Sequence, residues 1–313
     1  MRSLIFPLDM ISSTILQRRT LLRRIIVRRQ PTSFTFAVVT FCLPCSAKPG
    51  GISSLLLLAL LAFPTLAQTN TQAVASDPQA VALATKAFAA LTGGAQIQDV
   101  SLSGSANRVA GADEETGTVI LKALGATYSE LNLNLSGGVR SEVRTAPGGV
   151  PQGSWTAPNG SVNPFAQHNC LTDAAWFFPA LSALSQLSNP NLIAKYIGQE
   201  TRGQEAVQHL QLFLTLPVTT SDPSGLYSTL TTEDLYLDAS SFLPVALKFS
   251  AHPDNNALAN IPVEVDFSNY QSVSGIQVPF RIQKLLNGSL FLDITVQSAV
   301  LNSGLTDADF AAN

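Results

Sequence analysis

The sequence predicts an α+β fold that is mostly β: a curled antiparallel sheet of about 9–11 strands whose dry, concave face is covered by helices. Three observations predict it. Apolar and polar residues alternate with a period of two over several stretches, short turn signals join those stretches, and only two segments carry a helical period.

The first 50 residues stand apart in composition. They hold eight of the eighteen Lys and Arg and one acid, Asp9, which leaves ten basic and twenty acidic residues, a formal −10, from residue 51 onward. Nucleic acid is not the partner such a charge suggests. Residues 1–50 read as a basic N-terminal extension, either a start assigned too early or an unusually long leader. The run at 51–67, "GISSLLLLALLAFPTLA", is too short for a comfortable span and ends in Thr65-Leu66-Ala67, with small residues where a signal peptidase cuts. It reads as a signal peptide cleaved after Ala67, giving a periplasmic or secreted chain, 68–313, with no membrane span after cleavage. The alternative is an uncleaved anchor.

The mature chain opens with a helix. In "DPQAVALATKAFAALTGG" (77–94) Asp77 suits the cap, Pro78 the first turn and Gly93-Gly94 the end, and Val81, Ala84, Phe88 and Leu91 share a face. The period then changes to two. Leu131, Leu133 and Leu135 alternate with asparagines, as Val263, Val265 and Phe267 do with acids. The sets Val278, Phe280, Ile282 and Leu290, Leu292, Ile294, Val296 repeat the pattern. Ser136-Gly137-Gly138, Gly203 and Asn287-Gly288 mark the turns of a meander.

Two regions interrupt it. Residues 146–165, "APGGVPQGSWTAPNGSVNPF", predict a long irregular loop carrying Trp155, a length more common in binding loops than in filler. Next, "CLTDAAWFFPALSALSQLSNP" predicts a helix over 171–187, which Pro179 either kinks or restarts as a second turn, with Trp176, Ala180 and Leu184 on one stripe and Phe177 and Leu181 on the adjacent one. Its natural place is as a plug against the concave face. Two readings share that geometry: plain core packing, or a wall of Trp176, Phe177, Leu181 and Leu184, with Trp155 nearby, around a cavity for an apolar ligand.

Catalytic chemistry is sparse. There are three histidines, no HExxH, no GxSxG elbow and no phosphate-cradling loop. Cys42 and Cys45 precede the cleavage point, so Cys170 is left alone, and His168 beside it is the one candidate for a hydrolytic Cys–His pair, with no third orienting group. Asn169 or Thr172 reads as a helix cap. A zinc site would need more ligands than His168 and Cys170 supply. Neither a catalytic set, a metal nor a cofactor is expected.

Three C-terminal stretches carry a resemblance: "YLDASSFLPVALKF" (236–249), "VEVDFSNYQSVSGIQVPFRIQKLLNG" (263–288) and "LNSGLTDADF" (301–310). With a leading helix and an antiparallel meander interrupted midway, the chain resembles the lipoprotein-carrier (LolA/LppX-like) superfamily of bacterial periplasmic proteins. It also resembles a group of secreted proteins from soil bacteria in "QHNCLTDAAWFFPALSALSQLSNPN" and "YIGQETRGQEAVQHL". The resemblance implies an unclosed β-barrel with helices over its mouth, no catalysis, and a hydrophobic cavity for a lipid or acylated ligand. It also implies an arginine inside that cavity. None matches, because Arg140 and Arg144 alternate with Val139 and Val143. Apolar-ligand binding, rather than a transport cycle, is therefore the expectation. The alternative is a packed structural module that meets a protein partner through the loop around Trp155.

Overall fold

The computed structural model describes residues 74–217, 222 and 224–311. The basic extension, the signal peptide and its cleavage point lie outside the described residues. Helix α1 (Pro78–Thr92) leads into β1 (Asp99–Ala110), β2 (Asp113–Leu124), β3 (Tyr128–Leu135), β4 (Gly138–Thr145), β5 (Gln152–Thr156) and β6 (Val162–Pro164). After an irregular segment come β7 (Leu192–Arg202), β8 (Glu205–Leu214), a single helical turn α2 (Leu226–Leu230), β9 (Glu233–Asp238), β10 (Pro244–Ala251), β11 (Ile261–Val273), β12 (Ile276–Leu286) and β13 (Ser289–Leu301).

All 13 strands form one antiparallel sheet in the order β6-β5-β4-β3-β2-β1-β13-β12-β11-β10-β9-β8-β7. It is two meanders joined where β1 pairs with β13, and it is open at β6 and β7. The fold class is the one the alternation predicts. The strand number is higher because 146–165 is not a structureless loop: Asn159-Gly160 turns a hairpin in which Thr156 faces Val162, closed by a bond from Ala157 N to Ser161 O of 2.9 Å.

The predicted dry faces are dry. Leu131, Leu133 and Leu135, Val263, Val265 and Phe267, and Val278 and Ile282 are all buried, and Phe280 is half-buried against the same core. Leu290 is the exception, exposed because a bulge at Lys284/Leu285 shifts the register and turns Phe291 inward beside Leu292. Asn287 and Gly288 both take positive φ, 50° and 75°, as the tight β12–β13 turn requires.

The three motifs behind the resemblance have structural work in common. Asp238 accepts bonds from the backbone and hydroxyls of Ser240 and Ser241, which hold its carboxyl down at about 2. Tyr270 donates its hydroxyl to Pro244 O at 2.8 Å, tying the second stretch to the first. Phe310, fully buried, closes against Tyr128.

Helix α1 matches its predicted span and stops in a left-handed Gly93. Its buried stripe is Ala80, Ala84, Ala87 and Leu91, whereas Val81 is 38% exposed; the small alanines let the helix lie close to β12 and β7. Asp77 does not cap the helix. Its carboxylate accepts the Tyr196 N–H, its own N–H bonds Ala194 O, and Ser76 Oγ accepts the Ala194 N–H. These groups occupy half of the β7 edge, which would otherwise offer unpaired backbone to another strand.

The helix predicted over 171–187 does not form. Short 3₁₀ turns at Pro179–Leu181 and Ala183–Gln186 stand in its place. Phe178 is extended (φ −135°, ψ 91°), as a residue before proline prefers, and Ser182 is extended too. The Ala183 N–H, which a helix would direct to Pro179 O, goes to the Asp173 carboxylate at 2.7 Å. Asn169 is likewise no cap, because its amide exchanges two bonds with the His252 backbone, at 2.7 and 2.9 Å.

Candidate functional site: a charged end of the concave face

Cross-strand partners share a face, so the inward residues can be followed from strand to strand. Val100, Leu102, Ala106 and Arg108 of β1 face Ala123, Leu121, Gly117 and Glu115 of β2. Leu131 and Leu133 of β3 face Glu142 and Arg140 of β4, and Glu142 faces Trp155 of β5. The Ser136-Gly137 turn fixes this register by pairing Leu135 with Gly138. Arg140 and Arg144 therefore point inward and Val139 is 51% exposed, the reverse of the orientation the sequence suggests.

The sheet curls until distant strands meet. From β4 to β9 is eight strand spacings, roughly 38 Å across a flat sheet. Yet Arg144 of β4 donates Nη1 to Thr172 Oγ1 at 3.1 Å, while the next residue, Asp173, donates its N–H to Glu233 Oε1 of β9 at 2.9 Å. Residues 171–187 thus form a cover that bridges the two sides of the concave face.

Beneath it the face has two zones. In the apolar zone, Phe177, Phe178, Leu181 and Leu184 of the cover pack with the inward leucines and isoleucines of the sheet in one core. Trp176, Phe177, Leu181 and Leu184 are each no more than 4% exposed. Trp155 lies at the rim with Leu131, Leu133, Arg140 and Glu142, around a gap of about 10 Å³, room for a single water. The five residues named from the sequence thus fall into a packed group of four and a separate fifth.

The charged zone lies alongside. Glu115 accepts Arg140 Nη2 at 3.1 Å and Arg108 Nη1 at 3.4 Å, and its carboxylate forms an ion pair with Arg140 whose nearest approach, to Nη1, is 2.7 Å. Gly137 makes room for it, since a Cβ there would lie 1.9 Å from Glu115 Oε1. Asp173 and Glu233 face each other within hydrogen-bond reach. Burial first, then the Asp173 charge, raises the Glu233 carboxyl well above the ordinary range, and burial raises Asp173 too.

Lys284 completes the zone. It is 8% exposed and its Nζ lies 4.2 Å from the centroid of the Trp176 ring. Among the described residues no hydrogen-bond acceptor or carboxylate reaches it. Burial lowers its affinity for a proton, Glu142 nearby opposes that, and Arg144 adds to it.

The Cys170–His168 pair does not assemble. Cys170 donates to Ala166 O and His168 Nε2 meets Pro253 O at 3.1 Å, while burial raises the thiol, the opposite of an activated nucleophile. Among the described residues no group of three or more His, Cys, Asp and Glu is placed to hold a metal, and no helix is long and apolar enough to cross a membrane. A groove of about 720 Å³ opens at the end of β3–β5, against Tyr128, Val143, Phe165 and Phe310.

Lys284, Glu233 and Arg108 were within reach of sequence reasoning. Lys284 continues the series Val278-Phe280-Ile282 onto the dry face, Glu233 precedes Leu235 and Leu237, and Arg108 follows Leu102, Gly104 and Ala106. A charge in phase with a buried series is the signal.

No protein-family model and no curated protein matches the chain. Among solved structures, the chain is similar to a putative outer membrane lipoprotein-sorting protein domain from Vibrio parahaemolyticus, with a TM-score of 0.49 and 13% identity over 74% of this chain and 96% of that one. It is similar to a DUF1329 family protein from Desulfovibrio piger, with a TM-score of 0.49 and 12% identity over 74% and 96%. A LolA superfamily protein from Nitrosomonas europaea gives 0.46 and 13% over 74% and 97%. The superfamily that the C-terminal stretches resemble is thus among the structures found. At this overlap the likeness carries nothing about ligand or task, and the functional reading rests on the chain's own geometry.

Proposed function

We propose that the chain is an exported, non-enzymatic protein that binds a lipid or other apolar ligand on its concave face, the ligand taking the place of side chains of the cover. One observation carries the reading: an apolar, curled sheet face is roofed by a segment without regular helix, tied to the sheet by a handful of polar bonds rather than by a strand ladder. Such a segment can leave without unpairing any strand. Trp176, Phe177, Leu181 and Leu184 are the residues a ligand tail would displace, and Trp155 flanks the rim. Export rests on the signal-like run at 51–67, with a periplasmic or secreted destination.

Native mass spectrometry with lipid extraction on protein purified from a bacterial periplasm tests this. Co-purifying acyl lipid, lost in a folded Trp176→Ser, Phe177→Ser variant, is the expected result. A clean mass that also fails to take up added lipid sinks it. A second reading, a packed module that meets a protein partner, is favoured by the near-complete burial of the cover's aromatics; it predicts that no lipid is ever recovered.

A further inference from the structure

Lys284 poses a physical question that packing does not answer. With the residue 8% exposed and no acceptor in contact, the ammonium keeps only a narrow opening to water, a costly place for a charge, and a methionine of similar length would fill the same space without that cost. The group is not balanced by a neighbour in contact: its one close companion is the face of Trp176. Arg144, near enough to disfavour the charge on Lys284, gives one N–H to Thr172 and lays its guanidinium over Phe165 at 5.3 Å. Both cations therefore touch the cover, four residues apart in sequence, and each does so by a contact weaker than the one it would make to an anion.

We infer that Lys284 and Arg144 form the receiving site for the acidic head group, a carboxylate or a phosphate monoester, of a single-chain amphiphile whose tail takes the room filled by Trp176 and Phe177. This rests on the apolar-ligand reading and adds to it the chemistry of the head. The anion exchanges a ring face and a hydroxyl for two charge-assisted hydrogen-bonding partners, which loosens the cover at the same two points it neutralises. Glu142, also within electrostatic reach of Lys284, and the Asp173–Glu233 pair face Arg144 and limit the site to one anionic group rather than a multiply charged one.

The test is calorimetric titration of the purified protein with palmitate, lysophosphatidate and hexadecanol, each below its aggregation threshold. One or both acids are expected to bind, at least about tenfold more tightly than hexadecanol, the effect of a charge-assisted hydrogen bond. The tighter of the two separates a carboxylate from a phosphate. Lys284→Met should reduce that preference to within about threefold while hexadecanol binding stays, and Lys284→Arg should keep it. Hexadecanol binding as tightly as the acids, or Lys284→Met keeping the full preference, overturns the inference and leaves apolar-ligand binding intact. Binding of none of the three overturns both.

Discussion

Two aromatic rings, one on each face of the sheet, gather the protein's charges, and they do so differently. On the outer face, Tyr236 stacks on His209 with centroids 4.3 Å apart, under Arg202 and Lys248. Every charge there has a partner: Arg202 meets Glu264 and Asp266, Lys248 meets Glu264 at 3.3 Å, and His209 lies between Glu200 at 2.6 Å and Asp234 at 3.0 Å. On the inner face, Trp176 lies under Lys284, and nothing pairs with the ammonium. The outer cluster is complete as it stands, a polar clasp across β7–β11. The inner one sets an ammonium on a ring face with its nearest carboxylate, Glu142, close enough to be felt but out of contact.

The contrast can be broken at several points. The largest effect belongs to the cover itself: Phe177→Ala should cost about 3–5 kcal/mol, read by chemical denaturation, because the ring is wholly enclosed. A cost below about 1 kcal/mol would mean that the segment is not packed as described. Next, Glu233→Ala should cost about 1–3 kcal/mol by stranding the Asp173 N–H. Glu233→Gln keeps an acceptor for that N–H and should change the pH dependence instead. With its carboxyl raised, Glu233 holds a proton more tightly folded than unfolded. Its contribution is complete below the ordinary glutamate value of about 4.3 and is lost as pH climbs through the raised value. The wild type should therefore lose stability over that rise and the Gln variant should lose less; parallel curves would show that the Glu233 carboxyl is not raised on folding.

Smaller effects separate the two lysines. Lys284→Met should raise stability by about 1–2 kcal/mol, by removing an unpaired buried charge, whereas Lys248→Met, which breaks the Glu264 pair, should lower it slightly. A destabilised Lys284→Met protein would place a partner on Lys284 and close the gap between the clusters. Smallest is Arg202→Ala, at about 1 kcal/mol or less and shrinking with added salt, because the clasp is partly solvated.

What the sequence disclosed follows from how each segment is buried. Leu131, Leu133 and Leu135 have one wet neighbour between each pair, so a period of two shows through, and Asn287-Gly288 announces its own turn. The cover is enclosed on nearly all sides: Phe177, Phe178 and Leu181 are buried together, so stripes drawn at helical spacing had no wet side to set them off, and Pro179 with its extended neighbour Phe178 decided the backbone. In β4 the composition misled, because Val139 and Val143 look like the core side, yet the turn at Ser136-Gly137 sets the register and sends Arg140 and Arg144 inward. The Asp173–Glu233 contact joins residues 60 apart, and no local pattern encodes it.

The pairing of β1 with β13 has a consequence for how the molecule comes into being. Val100 faces Leu301 and Arg108 faces Leu292, so the middle of the sheet joins the earliest strand of the domain to the last. A chain emerging from a ribosome or a translocation pore can zip β7 to β12 from near neighbours, but β1 has to wait with one edge bare until about 200 residues have followed it. Closing so long a loop is slow, and docking of the final strand is expected to set the rate of assembly. Refolding of a chain ending at Leu286 should stall with both the β1 and β12 edges open, a state prone to pairing with other copies of itself.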